Sequence, residues 1–326
     1  MSTPHPLLRI DNLHTYFFTP QGVAKVLAGL NFSVPQRQVT GLVGESGSGK
    51  TVTALAVIRL LKPPGKIVDG TIEFKGRDLV QLSEREMRRV RGKEISMIFQ
   101  NPRGSLNPVF TVRDVLRTVF ETHRGLKGHA VEAASLEILD QVGLPDPRAI
   151  LRRYPHELSG GMCQRIMIAL ALACSPALLI ADEPTTALDV TIQLQIIGLL
   201  AGLRDRLGLT QILITHNLGV VAELCDRVAV MYAGKIVEEA DVTTIFAAPR
   251  HPYTIGLNRA RPCVSEAGDL VSIPGTVPDL RHPPKGCRFH PRCPFAQEIC
   301  REIEPTLDTI GEGHRVACHF WREVSA

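Results

Sequence analysis

Gly44-Glu45-Ser46-Gly47-Ser48-Gly49-Lys50-Thr51 fills every fixed position of the phosphate-binding pattern G-x-x-x-x-G-K-[ST]. Residues of these types at this spacing make a polyphosphate cradle. Gly44, Gly47 and Gly49 open backbone conformations denied to residues with a Cβ, so successive N–H groups, those of Ser46 and Ser48 among them, turn toward one anion. A helix opening near Lys50 adds the positive end of its dipole. Lys50 then serves as a point charge for β- and γ-phosphates, and the Thr51 hydroxyl as a ligand of Mg²⁺.

Such a loop works only between a strand and a helix. The apolar run Val39 to Val43 supplies the strand, and helical spacing from Val52 to Leu61 supplies the helix. Upstream, Leu7 to Phe18 and Val23 to Val34 are predicted to pair as a small antiparallel layer across the turn Pro20-Gln21-Gly22. Its cluster Tyr16-Phe17-Phe18 either stacks on a nucleotide base or packs into the core; spacing leaves both open. Gly70 to Phe74 is a further strand, and Ser83 with Glu86 caps a charged helix reaching Arg91.

Four more groups of residues stand where strands or helices end. The strand Ile95 to Phe99 stops at Gln100, and Asn101 to Pro108 is expected to be a loop. Helical spacing from Val112 to Val142 marks an inserted helical subdomain. Leu158-Ser159-Gly160-Gly161-Met162 precedes the apolar helix Gln164 to Ala173, so Ser159, Gly160 and Gly161 can offer free N–H groups to an anion. Ala177 to Ala181 reads as a buried parallel strand with Asp182-Glu183 at its carboxyl end, the edge where open α/β sheets bind ligands. After the helix Val190 to Leu207, a strand Gln211 to Thr215 delivers His216, and Val228 to Met231 with Lys235 to Val237 forms a closing hairpin.

Composition narrows the function classes. The 326 residues are 44% hydrophobic and 21% charged with a net charge of +4, an ordinary globular balance without the dense basic patch of a nucleic-acid binder. No run reaches the ~18 apolar residues of a membrane span, and Met1 to Leu8 lacks the regions of a signal peptide. A cytoplasmic chain whose membrane role is peripheral is expected. Of eight cysteines, five fall beyond residue 260, which points to thiols and a local metal site rather than a disulfide framework.

In order and spacing, Gly44 to Thr51, Gln100, Leu158 to Gly161, Asp182-Glu183, Asp189 and His216 resemble the ATPase subunit of an ABC transporter. Ile98-Phe99-Gln100-Asn101-Pro102 through Ser105-Leu106-Asn107-Pro108 is similar to the subfamily serving dipeptide and oligopeptide importers, as are His251-Pro252-Tyr253-Thr254 and the late cysteines. The resemblance implies an α/β fold: a mixed-sheet ABC-type P-loop ATPase core with an N-terminal antiparallel β layer, the inserted helical subdomain at about 101–165, and a small Cys/Pro-rich extension. It places the nucleotide-binding domain at 1–245 and the extension at 246–326.

Roles follow from that resemblance. Thr51, Gln100 and Asp182 are implied around Mg²⁺, Glu183 as the base that polarises the attacking water, His216 as a γ-phosphate contact, and Phe17 ahead of Tyr16 as the base-stacking ring. The signature Ser159-Gly160-Gly161, followed by Met162 where Gln is usual, completes a neighbouring subunit's site. ATP and Mg²⁺ are therefore the expected cofactors. The partners are a second ABC ATPase, forming a heterodimer or secondarily a homodimer, two membrane permease subunits and an external solute-binding protein, with no nucleic acid. The chain is expected on the cytoplasmic face of the plasma (inner) membrane, gripping a coupling helix with Leu106, Val109 and Phe110. Import of another solute such as a nickel complex, or a soluble ABC ATPase with an Fe–S sensing role, are the alternatives.

Cys287, Cys293, Cys300 and Cys318 lie in a proline-crowded segment with few apolar residues, where a metal staple supplies what packing cannot. Their spacing, C-x5-C-x6-C-x17-C, fits neither the close pairs of structural zinc nor a ferredoxin. The resemblance implies a [4Fe–4S] cluster, with zinc and unligated thiols as the alternatives and Cys263 and His319 as substitutes in the ligand set.

Overall fold

The computed structural model describes residues 5–186, 188–260 and 273–324; Cys263 lies outside them. The chain divides into two compact units, residues 1–81 with 213–326, and residues 82–212.

In the first unit β1 (Leu8–Thr19) and β2 (Gly22–Val34) pair antiparallel, Leu8 opposite Val34. Alternation buries Leu8 and Ile10 on one face and then Leu13 and Thr15, a change of parity absorbed by a bulge at Asn12, whose φ is 47°. The chain continues through β3 (Val39–Val43), all five residues buried, into the glycine-rich loop and α1 (Lys50–Val57). The helix is shorter than its apolar spacing predicts. Leu60 N–H closes on the Leu55 carbonyl at 2.8 Å and Arg59 takes φ 50°, a left-handed stop before Pro63-Pro64. β4 (Gly65–Phe74) and β5 (Arg77–Asp78) then complete an antiparallel sheet of order β2-β1-β4-β5. Where β4 passes the Asn12 bulge it needs Gly70, since a Cβ there would lie 2.4 Å from the Asn12 carbonyl oxygen.

The second unit opens with α2 (Glu84–Val90), held by the expected reciprocal cap: Ser83 N–H donates to Glu86 at 2.8 Å and Glu86 N–H to the Ser83 hydroxyl at 3.4 Å. β6 (Ile95–Ile98) pairs parallel with β7 (Leu178–Asp182), Ile95 opposite Leu178. Between them residues 101–108 are not wholly a loop. Asn101 accepts the Gly104 N–H at 3.0 Å and Pro102 stands at the first helical position, so a short α3 (Pro102–Ser105) forms. The helical stretch splits into α4 (Val112–Arg124) and α5 (His129–Gln141), because Gly125 ends the first in a left-handed cap. After α6 (Pro147–Ile150), α7 (Gly160–Leu172) begins four residues earlier than its apolar pattern, capped by Ser159. α8 (Val190–Leu207) follows β7, capped by Asp189, which accepts the Ile192 N–H at 3.0 Å.

Within β8 (Thr210–Thr215) the chain returns to the first unit. There α9 (Leu218–Leu224) leads to β9 (Arg227–Tyr232), which pairs parallel with β3, and to β10 (Lys235–Asp241), antiparallel to β9. α10 (Val242–Ala247) and α11 (Pro252–Arg259) come next. The proline-rich tail carries α12 (Glu298–Glu302) and a hairpin, β11 (Asp308–Gly311) with β12 (His314–Val316), that adds to β10. Phe289, Val316, Ala317 and Val324 are buried there, giving the tail more core than its proline count implies. No helix among the described residues is long and apolar enough to cross a membrane.

Candidate nucleotide site

The loop after β3 wraps around its own lysine. Lys50, 6% exposed, donates through Nζ to the carbonyls of Gly44 and Glu45 at 2.8 and 2.9 Å, and Nζ lies 3.4 Å from the Ser48 hydroxyl. Gly44 has φ 152° and Gly49 φ 109°. A Cβ on Gly44 would stand 2.1 Å from the Met231 carbonyl oxygen, so β9 passes too close for any other residue. The turn after β9 buttresses the loop from the same side, the Gly234 N–H donating to the Ser48 carbonyl at 2.8 Å. Ser46, Gly47 and Thr51 complete the loop, with Gly47 at φ 81° and open space where a Cβ would be.

Also in this unit, His216 is exposed at the end of β8, ahead of the Asn217 cap of α9. Phe17 is half-buried, its ring packed against the Gly65 backbone, where a Cβ would come within 2.7 Å. Tyr16 bonds His14 at 3.1 Å and carries the Lys25 ammonium 5.8 Å above its ring.

The second unit brings Gln100 and Glu183 together. Gln100 Nε2 donates to Glu183 Oε2 at 2.7 Å, and the Thr186 hydroxyl donates to the same oxygen at 2.8 Å. Glu183 holds φ 47°, a left-handed conformation that costs a non-glycine residue on the order of 1–3 kcal/mol and recurs at functional sites. Asp182 is buried beside it at the end of β7. The Ser159 hydroxyl accepts the Met162 N–H at 3.3 Å, leaving the first turn of α7 open at Gly160 and Gly161. Gly161 is also a packing requirement, since a Cβ would meet the Ile192 side chain of α8 at 2.9 Å. Phe99, Leu106, Phe110, Val115, Val119 and Leu170 line an apolar groove. Leu106 is buried, Phe110 is half exposed, and Val109, at 70% exposure, is not among the lining residues.

In the tail Cys287, Cys293, Cys300 and Cys318 line one small cavity. Burial, with neighbouring thiols adding to it, pushes Cys287 up to about 11 and Cys318 up to about 12, and raises Cys293 as well. His319 lines the same cavity but its Nε2 bonds the Ile303 carbonyl at 3.0 Å. Among the described residues no group of three or more His, Cys, Asp or Glu is arranged to hold a metal ion.

Sequence reasoning passed over the residues that join this tail to the phosphate loop. Arg292 grips the Glu45 carboxylate with two bonds of 2.6 and 3.0 Å, and the Glu45 N–H donates to the Tyr253 hydroxyl at 2.8 Å. Tyr232 packs edge to face on Tyr253 and on Phe289, and Tyr253 lies tilted on Phe289, with ring centroids 4.7 to 5.4 Å apart. The Glu45 bond holds the guanidinium well above its ordinary range, and burial raises the Tyr253 hydroxyl. Glu45 occupies a variable position of the loop pattern and Arg292 stands in the stretch Arg292-Cys293-Pro294 that resembles the importer extension, and nothing in either stretch points to the other. Thr186, which no motif position weights, was missed for the same reason.

Comparison with known proteins agrees along the chain. The ABC transporter family matches residues 27–186, and the oligopeptide/dipeptide transporter C-terminal region matches residues 237–300. A probable peptide ABC transporter ATP-binding protein of Sinorhizobium fredii is 53% identical over 97% of this chain and 95% of its own length. The dipeptide transport ATP-binding protein of Escherichia coli is 46% identical over 96% of each chain. Among solved structures, a dimeric ATP-binding cassette in a post-hydrolysis state bound to ADP and Pi matches with a TM-score of 0.65 at 25% identity, over 72% of this chain and 98% of that one.

Proposed function

Because this chain belongs to the ATP-binding subunits of ABC transporters, and to the group carrying the oligopeptide/dipeptide transporter C-terminal region, we propose that it hydrolyses ATP to drive import of short peptides through a membrane transporter. The observation that carries this reading is the presence on one chain of a phosphate loop closed around Lys50 and of that C-terminal region. Its activity is then that of an ATP hydrolase, with ATP and Mg²⁺ as cofactors. We keep the division into a nucleotide-binding domain, 1–245, and an extension, 246–326.

In this reading the N–H groups of Ser46 to Thr51 and the Lys50 ammonium bind the phosphates, and Phe17 stacks on the base. Thr51, Asp182 and Gln100 serve Mg²⁺. Glu183 polarises the attacking water, with Gln100 and Thr186 fixing its carboxylate, and His216 contacts the γ-phosphate. Ser159, Gly160 and Gly161 belong to the site of a second ATPase subunit, a pairing supported by the dimeric state of the solved relative; we favour a different second chain. Two permease subunits and an external solute-binding protein complete the importer, with this chain peripheral at the cytoplasmic face of the inner membrane. The groove at Leu106 and Phe110 is the seat for a permease helix.

The four thiols fit a metal group by chemistry: they line one cavity, no carboxylate is among its described lining residues, and burial raises Cys287, Cys293 and Cys318, a shift that a bound cation would reverse. Cys287, Cys293, Cys300 and Cys318 would hold a [4Fe–4S] cluster, with zinc as the alternative. Bound there, the group would staple the tail and add a redox-active centre.

The test is ATPase activity across protein concentration, for the chain alone and with its permease and ATPase partners. Low activity alone and strong stimulation in the complex are expected. Failure of the purified chain to bind ATP overturns the reading, and full activity as a monomer removes the shared-site arrangement.

A further inference from the structure

We propose that Arg292 is a positioning residue for the phosphate loop, so that the cysteine-rich extension sets the affinity of the nucleotide site. The inference rests on the ATPase reading above and adds a control element to it.

Glu45 is the junction. Its carbonyl accepts from Lys50 Nζ at 2.9 Å and from the Ser48 N–H at 3.2 Å, its N–H donates to Tyr253 Oη at 2.8 Å, and its carboxylate takes both bonds from Arg292. One residue thus has its carbonyl turned toward the phosphate-binding lysine and its other polar groups turned toward the extension. The Glu45 N–H shares its peptide plane with the Gly44 carbonyl, which accepts from Lys50 Nζ at 2.8 Å, so that carbonyl cannot turn without breaking the bond to Tyr253, and the Glu45 side chain is anchored on Arg292. The orientation of the Lys50 ammonium is therefore set from residues 253 and 292.

Arg292 is itself held. Its side chain is 5% exposed, and it donates to the carbonyls of Pro274 at 2.8 Å and Ile273 at 3.2 Å while lying 5.8 Å from the Tyr232 ring centroid and 6.0 Å from that of Phe289. Its backbone belongs to a tight turn, His290 N–H to the Cys287 carbonyl at 3.0 Å and Arg292 N–H to the Phe289 carbonyl at 3.0 Å, that begins and ends at cavity-lining cysteines. Whatever shifts Cys287 or Cys293 shifts the guanidinium. In this pair the guanidinium is buried and the carboxylate partly so, and removing the carboxylate's charge leaves the buried guanidinium without its partner. That makes it a poor ornament and a good latch.

The experiment uses the full chain assembled with its transporter partners and a fluorescent N-methylanthraniloyl ATP as probe. Arg292→Met and Glu45→Gln are each expected to raise the dissociation constant of the probe, and the KM for ATP, about tenfold, with kcat changing less than KM. The double variant should be no weaker than either single one, and Arg292→Lys should recover part of the affinity. Tyr253→Phe, which removes the acceptor of the Glu45 N–H, should raise the dissociation constant in the same sense. If Arg292→Met does not fold, Glu45→Gln, nearly isosteric, carries the test. Wild-type affinity in both single variants, or effects that simply multiply in the double, overturns the proposal and leaves the ATPase reading standing. A wild-type chain that does not bind the probe overturns both.

Discussion

The Gln100 side-chain amide lies 2.7 Å from the Glu183 carboxylate, so the residues just beyond two parallel strands, β6 and β7, are bonded tip to tip. A carboxylate held by an amide and a hydroxyl on one oxygen keeps its other oxygen in a fixed direction. Glu183→Gln is expected to lower kcat by ~10²–10⁴ while leaving ATP binding intact, because the substitution keeps the shape and removes the base proposed above. Gln100→Ala should cost less in kcat, as Thr186 still orients Glu183. Single-turnover hydrolysis beside equilibrium ATP binding separates the two effects; equal loss of binding in Glu183→Gln would contradict the assignment.

Two glycines of the phosphate loop should respond to alanine very differently. At Gly44 the new methyl would sit 2.1 Å from a β9 carbonyl, and backbone must move. At Gly47 there is open space and only the left-handed φ is penalised, about 1–2 kcal/mol. Gly44→Ala should therefore lose about 3 kcal/mol or more in urea denaturation, and Gly47→Ala clearly less.

Acid stability carries a contribution from the cap of α10. The hydroxyls of Thr243 and Thr244 and the Thr244 N–H donate to Asp241 and hold its pKa at about 2. Unfolded, the carboxyl titrates near ~3.9, so the unfolded chain binds more protons in between. Stability from this group is complete above that value and lost as pH falls through about 2. Asp241→Asn should flatten the pH dependence of unfolding in this window, and Asp241→Ala should additionally remove roughly 1 kcal/mol of capping at neutral pH.

Anaerobically purified protein should absorb near 400 nm and contain iron. Stripping the metal, or Cys293→Ser, should lower the unfolding temperature of the extension before that of the remaining chain. A colourless protein carrying zinc would reassign the site, and an unchanged melting profile after metal removal would refute the staple.

Much of this molecule was legible because local chemistry fixed it. β3 and α8 match their predicted limits: an uninterrupted apolar run makes the first, and in the structure Asp189 and a left-handed Gly208 cap the second. The reciprocal cap at Ser83 was equally plain. Misjudged boundaries share a cause: α1 stops early and α3 forms because proline and left-handed residues act over one turn, beneath the resolution of an apolar period. The loop residues Lys50 and Thr51 announce themselves by type, whereas Glu45, Tyr253 and Arg292 are defined only by one another. Contacts spanning more than two hundred residues, such as Glu45 with Arg292, leave no trace in any window of sequence.

The division of the chain also orders its birth. Residues 82–212 are continuous, so that unit has all its strands and helices once the ribosome has released them. The unit bearing the phosphate loop is sewn from both ends: β3 waits for β9, Thr40 for Arg227, before that parallel pairing can form. Until then its five buried residues lack that neighbour, and an incompletely paired apolar strand is the kind of segment that aggregates. The nascent chain is thus most exposed during translation of the middle third, and a ribosomal pause placed there, or a shortage of chaperone, should be felt first at the site for ATP.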